Sequence, residues 1–340
     1  MWRYTFTFLS LACATGVAYL VPILPESITL PLPHRLVLQY AEPTWLENIA
    51  VRSNGDLLVT GFQPDAPLFI ISDPASLAPK SKLLHPFGAV KSLTGITEVS
   101  DDLFVVVGGN FSGITPMPES FSAWSIDFRH HQEPTIEFIT SLPKVIFPNG
   151  LTSPEGSQDV VLIADSTLGA IWNLNIQTGE YDIAVNVPEL AAPSGASNGF
   201  GVNGVKTHGD FLYWTNSAEA AIYRIKIMPD GYPVEGAEAE MVARADAPFL
   251  DDFTIDTKGT IWATTNTDNR LLAIGPSGQT VTVAGAATEM TVAGDTAVAF
   301  GRGMKDKHIL YVSTSGAINN PVNGTLVEGG KVVAIDTKCY

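Results

Sequence analysis

Residues 203–217 read NGVKTHGDFLYWTNS, and this short unit decides the fold because versions of it recur along the chain. Each copy has a polar residue, an apolar residue two positions later, a turn, and a β-rich run. The other copies begin at Glu47, Thr94, Asn149, Asp251 and Thr296. Successive copies start 45 to 55 residues apart, close to the ~40–50 residues of known four-stranded propeller blades.

The repeat therefore predicts an all-β fold, a six-bladed β-propeller with four-stranded blades. Turn residues such as Asn54-Gly55 separate the β-branched and aromatic runs, and helical periodicity is nearly absent. One strand, HRLVLQY at residues 34–40, is left over before the first copy. We expect it to complete the last blade beside GKVVAID, residues 330–336, and so to close the ring. A pair of β-sandwiches is the rival architecture, but a sixfold period near 50 residues does not suit it.

Composition limits the partners and the compartment. The chain has 340 residues and a net charge of -16, and such an acidic excess repels phosphate backbones, so no nucleic-acid partner is expected. One Arg, an apolar run and small residues open the sequence, which predicts a signal peptide at 1–18 and a single propeller domain at 19–340. A buried first strand or a membrane anchor is the alternative for this opening segment. No other segment approaches the ~18 apolar residues of a membrane span.

Two N-glycosylation tripeptides, Asn110-Phe111-Ser112 and Asn323-Gly324-Thr325, suit a secreted protein or one of the secretory pathway. Of the two cysteines, Cys13 lies in the predicted leader, so Cys339 would be alone in the mature chain. An intrachain disulfide and a cysteine metal site are therefore not expected.

The innermost strand of a propeller blade lines the central channel, so the first residue of each copy should face one channel mouth. All six of these residues are polar, and we call them the ring residues: Glu47, Thr94, Asn149, Asn203, Asp251 and Thr296. Two carboxylates ~5 Å apart repel by ~3 kcal/mol at an effective dielectric of ~20. Either a hard divalent cation relieves this repulsion, or one carboxyl stays protonated and becomes a general acid. The alternative is that the ring residues only satisfy strand ends around a water-filled tunnel.

On these residues the sequence resembles the gluconolactonase/regucalcin-like superfamily of six-bladed propellers. That resemblance implies a divalent metal such as Ca²⁺ bound by Glu47, by Asn149 in the FPNGL segment, and by Asp251. The chain departs from the family pattern at two places. Asn48-Ile49 follow the glutamate where the family usually has Gly-Pro, and Leu250-Asp251-Asp252 replaces Pro-Asp-Gly.

A closer resemblance is carried by TWLENIAVRSNGDLLVT, LTGITEVSDDLFVVVGGNFS, VLIADSTLGAIW and VNGTLVEGGKVVAID. These strings are typical of a secreted fungal branch of the superfamily, which resembles the fungal hetero-Diels–Alderases. The resemblance implies coupling of a tropolone-derived quinone methide to a humulene-type sesquiterpene, with no cofactor. Such a reaction needs an apolar cup for two small organic partners and hydrogen bonds to the heterodiene oxygen.

The ring and its neighbours supply the predicted site of this coupling. We expect a catalytic group made of Glu47, Asp251, Asn149 and Asn203. We expect substrate contacts from Trp45, Thr94, Phe200, Phe253 and Thr296. Phe147, Trp214 and Trp262 are further aromatic candidates for the cup, although the last two lie inside strands and favour the core.

Three functions thus remain open: a pericyclase-like enzyme of specialised metabolism, a metal-dependent lactonase, and a non-catalytic secreted propeller that binds small molecules. The altered surroundings of Glu47 and Asp251, together with the whole-chain resemblance, favour the first. Residues 195–204, GASNGFGVNG, contain both a G-x-S-x-G and a G-x-G-x-x-G pattern. Prolines before them and a β-run after them exclude both motifs, because each motif needs a strand before it and a helix after it.

Overall fold

The computed structural model describes residues 28–130, 133–196 and 199–340. The predicted signal peptide lies outside these residues. The described chain forms six antiparallel four-stranded sheets, and the predicted six-bladed propeller is confirmed. Each sheet has an innermost strand, and this strand contacts the innermost strands of the two neighbouring sheets. These six strands therefore surround the axis.

Each blade runs from the axis outward through four strands. Blade 1 consists of β2 (Trp45–Val51), β3 (Leu57–Gln63), β4 (Pro67–Ser72) and β5 (Lys80–Pro86). Blade 2 consists of β6 (Ser92–Ser100), β7 (Leu103–Gly109), β10 (Ser122–Asp127) and β11 (Thr135–Ser141). Blade 3 consists of β12 (Pro148–Thr152), β13 (Val160–Asp165), β14 (Ala170–Asn175) and β15 (Tyr181–Val185).

Blade 4 consists of β16 (Val202–His208), β17 (Phe211–Asn216), β18 (Ala221–Lys226) and β19 (Glu240–Arg244). Blade 5 consists of β20 (Phe253–Ile255), β21 (Ile261–Thr264), β22 (Arg270–Ile274) and β23 (Thr280–Gly285). Blade 6 consists of β24 (Asp295–Phe300), β25 (Ile309–Thr314), β26 (Lys331–Asp336) and the N-terminal β1 (His34–Gln39). A small hairpin of β8 (Phe111–Ser112) and β9 (Thr115–Pro116) is inserted between β7 and β10, and two short 3-10 helices span Pro188–Leu190 and Asn266–Asp268.

The ring is closed by its first strand, as predicted. β1 pairs antiparallel with β26, with His34 opposite Ile335 and Gln39 opposite Lys331. The last blade therefore contains strands from both ends of the described chain. Opening the ring at this blade would require β1 to separate from β26, because this pair joins the two ends of the described chain.

The hydrophobic core lies between neighbouring blades. Trp214 is completely buried between blades 3 and 4, where its ring stacks on Tyr223 at 5.8 Å. Trp262 is buried in the same way between blades 5 and 6. Both tryptophans are core residues, in agreement with their positions inside strands. Across the described residues, none of the helices has the length and apolar character of a membrane span.

Glycines next to the ring residues allow the inner strands to approach each other. A Cβ atom on Gly95 would lie 2.2 Å from the carbonyl oxygen of Asn149, and one on Gly150 would lie 2.6 Å from that of Asn203. A Cβ atom on Gly204 would likewise lie 3.1 Å from the carbonyl oxygen of Asp251. The sequence pattern of a polar ring residue followed by Gly therefore reflects close backbone contact between blades 2, 3, 4 and 5.

Candidate active site at the channel mouth

The ring residues lie where the regular pairing of the inner strands is interrupted. In blade 1 the register shifts between Leu46 and Asn48, which brackets Glu47. Blades 2, 3, 4 and 6 have the same kind of irregularity around their own ring residues. In blade 5, Asp251 comes just before β20. Bulges of this kind redirect side chains and are common next to functional sites.

Four of the six ring residues share one cavity of about 300 Å³ at the channel mouth. The cavity is lined by the side chains that we expected to be catalytic, Glu47, Asn149, Asn203 and Asp251, together with Asn266. The strands of blades 1, 3 and 4 and the segment leading into blade 5 thus place two carboxyl and two carboxamide groups together. We call this group, with Asn266, the polar floor.

The other two ring residues do not line the cavity. Thr94 is fully buried and donates a hydrogen bond of 2.8 Å from its Oγ1 to the carbonyl oxygen of Pro148 in the next blade. Thr296 donates in the same way to the carbonyl oxygen of Leu46, at 3.0 Å. We expected both threonines to contact substrate. The structure corrects this expectation, because their hydroxyl groups hydrogen-bond to the backbone of neighbouring blades. The ring has four members at the cavity and not six.

Phe253 also lies away from the cavity. Its side chain has no exposed surface and packs in the core between blades 4 and 5, among residues such as Tyr213 and Ile222. Phe253 is only two positions after Asp251. It nevertheless belongs to the regular pairing of β20 with β21 and not to the irregular part of the inner strand. The expected place of Phe253 in the cup is corrected: the side chain stabilises the fold.

An arc of five aromatic rings stands on one side of the polar floor. Neighbouring ring centroids are 5.0 Å apart from Trp45 to Phe62 and 4.7 Å from Phe62 to Phe111. They are 5.2 Å apart from Phe111 to Phe147 and 5.4 Å from Phe147 to Phe200. All five except Phe111 line the cavity, so we call the set the aromatic arc. Trp45, Phe147 and Phe200 thus lie at the cavity, where they were expected.

Other cavity residues come from connections that the blade repeat does not describe. Ile114 comes from the β8–β9 hairpin, Phe249 from the connection before blade 5, and Asn319 from the long connection between β25 and β26. Phe62 lies near the end of β3. Sequence reasoning missed these residues because loop paths are not encoded in a repeat. For Ile114 one signal was available, because it lies in the longest interval between copies, from Thr94 to Asn149.

Asp165 holds the part of the wall that carries Phe147. One carboxylate oxygen accepts a hydrogen bond from the backbone N–H of Phe147 at 3.0 Å, and the other accepts one from Ile146 at 2.8 Å. The indole Nε1 of Trp172 donates to the same side chain at 3.2 Å. Asp165 is thus a buried acceptor that positions the chain entering blade 3.

Glu47 is the acid at the centre of the site. Its Oε2 accepts a hydrogen bond of 2.7 Å from the indole Nε1 of Trp45. Burial is the main cause that raises the pKa of Glu47 well above its usual value, and the nearby Asp251 and Asp252 raise it further, while the indole bond opposes the shift. The folded protein therefore favours a protonated Glu47 carboxyl, which has a proton to donate.

Asp251 is the second carboxyl of the polar floor with a raised pKa. Burial raises the pKa of this carboxyl to about 7, against the hydrogen bond of 2.7 Å that Asn266 Nδ2 donates to its Oδ2. Near neutral pH the pair thus combines a protonated acid with a partly ionised one. This is the arrangement that separates acid and base roles between two carboxyl groups.

The two amides of the floor differ in their partners. Asn203 Nδ2 donates to Ser217 Oγ at 3.0 Å, and that hydroxyl donates to the carbonyl oxygen of Leu250 at 2.7 Å. The Oδ1 atom of Asn203 is buried without a hydrogen-bond partner among the described residues. The Asn149 side chain lines the cavity, where its amide can meet a ligand.

A second polar layer crosses the channel beside the floor. Asp252 accepts hydrogen bonds from Asn48 Nδ2 at 3.0 Å and from Lys206 Nζ at 2.6 Å. These three residues come from blades 1, 4 and 5. The Lys206 ammonium group lies beside the buried Asp252 side chain, and such pairing compensates the cost of burying an acid.

The donor set of the floor can be compared with the metal that the family resemblance implies. In residues 28–130, 133–196 and 199–340, no group of three or more His, Cys, Asp or Glu side chains is arranged to hold a metal ion. Two carboxyl groups and two amide oxygens are nevertheless ligands that a hard cation accepts. The unpartnered Oδ1 of Asn203 would gain a partner from such a cation. The residues present therefore fit an oxygen-coordinated divalent ion that includes amide ligands.

A larger groove of about 660 Å³ lies on blades 1 and 2, away from the polar floor. Three of its four Lys and Arg side chains are paired with acids: for example, Arg52 lies 2.8 Å from Asp102, and Lys82 lies 2.7 Å from Glu133. A groove whose charges are largely neutralised is a poor anion site. The channel mouth is the stronger candidate, because it holds two carboxyl groups with raised pKa values and, among the described residues, an unpartnered buried amide oxygen.

These features define the class of protein: a closed six-bladed β-propeller with a candidate small-molecule site at one channel mouth. Residues 164–316 match the family described as SMP-30/Gluconolactonase/LRE-like region. A Phoma protein named "Putative hetero-Diels-Alderase" is 34% identical over 314 residues, which cover 85% of this chain and 88% of that protein. A Sarocladium schorii protein named "Putative hetero-Diels-Alderase asR5" is 33% identical over 340 residues, which cover 90% and 84%.

The chain belongs to the family of these two relatives, and its residues 164–316 match the gluconolactonase-like region. The predicted family is thereby confirmed. The fold is also similar to that of a solved calcium-binding protein, regucalcin from Agrobacterium tumefaciens. That likeness has a TM-score of 0.60 and 14% identity, and covers 90% of this chain and 94% of the other.

Proposed function

We propose that the protein is a pericyclase-like enzyme that catalyses a hetero-Diels–Alder coupling in the cavity at the channel mouth. Its proposed partners are a quinone-methide-type tropolone and a humulene-type sesquiterpene. One observation carries the proposal: the aromatic arc stands directly beside a buried carboxyl group that favours protonation. The names of the two relatives support the same reaction class.

The aromatic arc supplies binding and orientation. Flat rings such as Trp45, Phe147 and Phe200 offer broad apolar surface with little side-chain entropy to lose when a ligand binds. Holding a diene and an alkene in attack geometry can contribute up to ~7–11 kcal/mol in well-oriented reactions. The coupling forms two σ bonds, one from carbon and one from oxygen of the heterodiene, and consumes no proton. The chain therefore acts on it by positioning and by hydrogen bonding.

The polar floor supplies the hydrogen bonds. The Asn149 amide and the protonated Glu47 carboxyl are donors at the cavity, suited to a heterodiene oxygen that gains negative charge in the transition state. If the quinone methide arises in the site, Glu47 donates its proton to the departing hydroxyl group. The carbon–oxygen bond then breaks, water leaves, and Asp251 accepts the proton of the ring hydroxyl. After this dehydration the donors for the coupling are the Asn149 amide and the newly protonated Asp251, whereas a preformed quinone methide meets Glu47 still protonated.

The test is a coupling assay with purified protein, a hydroxymethyl tropolone as precursor, humulene, and excess chelator. We expect faster product formation and one dominant stereoisomer compared with the reaction without protein. Ligand uptake without turnover would instead identify a non-catalytic binding propeller. Activity that disappears with chelator would overturn the metal-free mechanism.

The second candidate is a divalent-metal-dependent lactonase. It is favoured by the unpartnered Oδ1 of Asn203 and by the two neighbouring carboxyl groups. Glu47, Asn149 and Asp251 would hold the ion with Asn203. A bound divalent cation supplies Lewis-acid polarisation of a carbonyl group. Metal analysis of the purified protein and of an Asn203→Leu variant, with lactone hydrolysis measured in parallel, distinguishes this candidate from the first.

We further propose that the partners are small apolar molecules and not nucleic acids, and that the protein passes through the secretory pathway. The acidic net charge and the aromatic arc support the first statement. The exposed position of the Asn323 tripeptide supports the second.

A further inference from the structure

We propose that Ile114 and Phe249 form a pair of apolar jaws that set the size of the alkene partner. This inference rests on the proposed function, because it assigns selectivity within the same cavity. Both side chains line the cavity, and both come from connections outside the inner strands.

The two jaws come from opposite sides of the cavity that they line. Ile114 belongs to the hairpin inserted in blade 2, and Phe249 belongs to the segment that enters blade 5. In a closed ring of six blades, blades 2 and 5 lie on opposite sides. A molecule that reaches the polar floor therefore passes between one aliphatic and one aromatic side chain.

The backbone beneath Ile114 is firmly held. Phe111 at the base of its hairpin contacts the rings of Phe62 at 4.7 Å and Phe121 at 5.5 Å. Across the base, Met117 N–H donates to the carbonyl oxygen of Asn110 at 2.9 Å. The hairpin is thus anchored through Phe111, while Ile114, near the tip, remains partly exposed to the cavity.

The backbone beside Phe249 is held equally well. Leu250 is completely buried, and its carbonyl oxygen accepts the Ser217 hydroxyl at 2.7 Å. Asp251 N–H donates to the carbonyl oxygen of Thr264 at 2.9 Å. Phe249 itself is only partly buried. Substitutions at Ile114 or Phe249 should therefore reshape the cavity and leave the fold intact.

The jaws would select by bulk, because the wider of two alkenes fills more of the space between them. Truncating a jaw removes contacts from the bulky alkene and has little effect on the slender one. Enlarging a jaw excludes the bulky alkene first. The readout is accordingly the ratio of two dissociation constants.

The experiment measures binding of humulene and of the smaller alkene myrcene by headspace depletion, with Ile114→Ala, Ile114→Phe, Phe249→Leu and Met117→Ala variants. Met117 lies at the end of the same hairpin, is about half exposed and does not line the cavity, so it is the matched control. We expect Ile114→Ala and Phe249→Leu to weaken humulene binding roughly 3- to 10-fold. Myrcene binding should change less than about twofold. Ile114→Phe should weaken humulene binding by roughly tenfold or more through steric exclusion.

An unchanged ratio in all three jaw variants, or an equal change in Met117→Ala, overturns the inference. If Ile114→Ala does not fold, the ratios measured with Ile114→Phe and Phe249→Leu test the inference. Because binding needs no turnover, a shifted ratio without any coupling activity would reject the proposed reaction and leave the jaws in place.

Discussion

The indole of Trp45 donates a hydrogen bond of 2.7 Å to the carboxyl group of Glu47, two residues further along the same strand. Both side chains line the cavity although the strand register shifts between them, so one short segment carries both a wall of the cavity and an acid of its floor. This bond orients the carboxyl group and leaves its other oxygen for a ligand. It joins the apolar and the acidic halves of the proposed mechanism.

A Glu47→Gln variant separates the two roles of this acid. The amide keeps an acceptor for Trp45 and a donor for the ligand, but it has no proton to transfer. With the hydroxymethyl precursor we expect a loss of about 10²-fold in rate, as for removal of a general acid. With a preformed quinone methide the loss should stay below about tenfold. Coupling rates with both substrates are measured, and Glu133→Gln, at an exposed site, is the control. Equal losses with the two substrates would contradict proton transfer by Glu47.

Stability should fall as the pH rises. The folded-state pKa of Asp251, about 7, lies above the ordinary pKa of 3.8 for this carboxyl. Folding therefore favours the protonated form. The contribution is full below about pH 4 and is lost as the pH rises through about 7. Urea unfolding in chelator at about pH 5 and about pH 8 measures this, and Asp251→Asn should show a smaller decrease than the parent chain. A parent chain that is more stable under the alkaline condition would refute the prediction.

Thr94→Val should affect stability and not chemistry. Valine keeps the shape of threonine but removes the hydrogen bond to Pro148. We expect a loss of about 1 kcal/mol in the free energy of unfolding and an unchanged coupling rate, because Thr94 does not line the cavity. Chemical denaturation and the coupling assay are the measurements. A large loss of coupling rate with normal stability would show that Thr94 takes part in the reaction.

Gly150→Ala should be strongly destabilising. Its Cβ atom would lie 2.6 Å from the carbonyl oxygen of Asn203, a backbone atom of the next blade. We expect a loss of about 2–3 kcal/mol or more from this overpacking. Gly88→Ala is the matched control, since a Cβ atom there meets nothing within 4 Å. Thermal unfolding of the two variants should differ clearly, and similar melting temperatures would argue against tight contact at the axis.

Glycosylation tests the proposed secretory route. Asn323 is exposed in the β25–β26 connection, whereas Asn110 is partly buried beside Phe111 of the aromatic arc. We expect a glycan at Asn323 and lower occupancy at Asn110 when the chain is expressed in a secreting eukaryotic host. Mass spectrometry before and after endoglycosidase treatment, with Asn323→Gln as control, measures this. Absence of glycan at both sites would mean that the two tripeptides do not support the proposed secretory route.

The sequence by itself determined the architecture of this protein. The unit that begins at Asn203 has a period that a propeller accommodates and a sandwich does not, and residues 34–40 had one place to pair, beside residues 330–336. The same repeat identified Glu47, Asn149, Asn203 and Asp251 as neighbours, because equivalent positions in a ring of blades converge on the axis. Local pattern and symmetry were sufficient for these conclusions.

Only the tertiary structure decided which polar residues line the cavity. Thr94 and Thr296 look equivalent to Glu47 in the repeat, but their short side chains donate to carbonyl groups of neighbouring blades. Ile114 and Phe249 reach the cavity along loop paths that no period describes. Burial and neighbouring carboxyl groups, which depend on the whole fold, raise the pKa of Glu47. The chemistry of the site therefore follows from side-chain length, loop course and desolvation in the assembled ring.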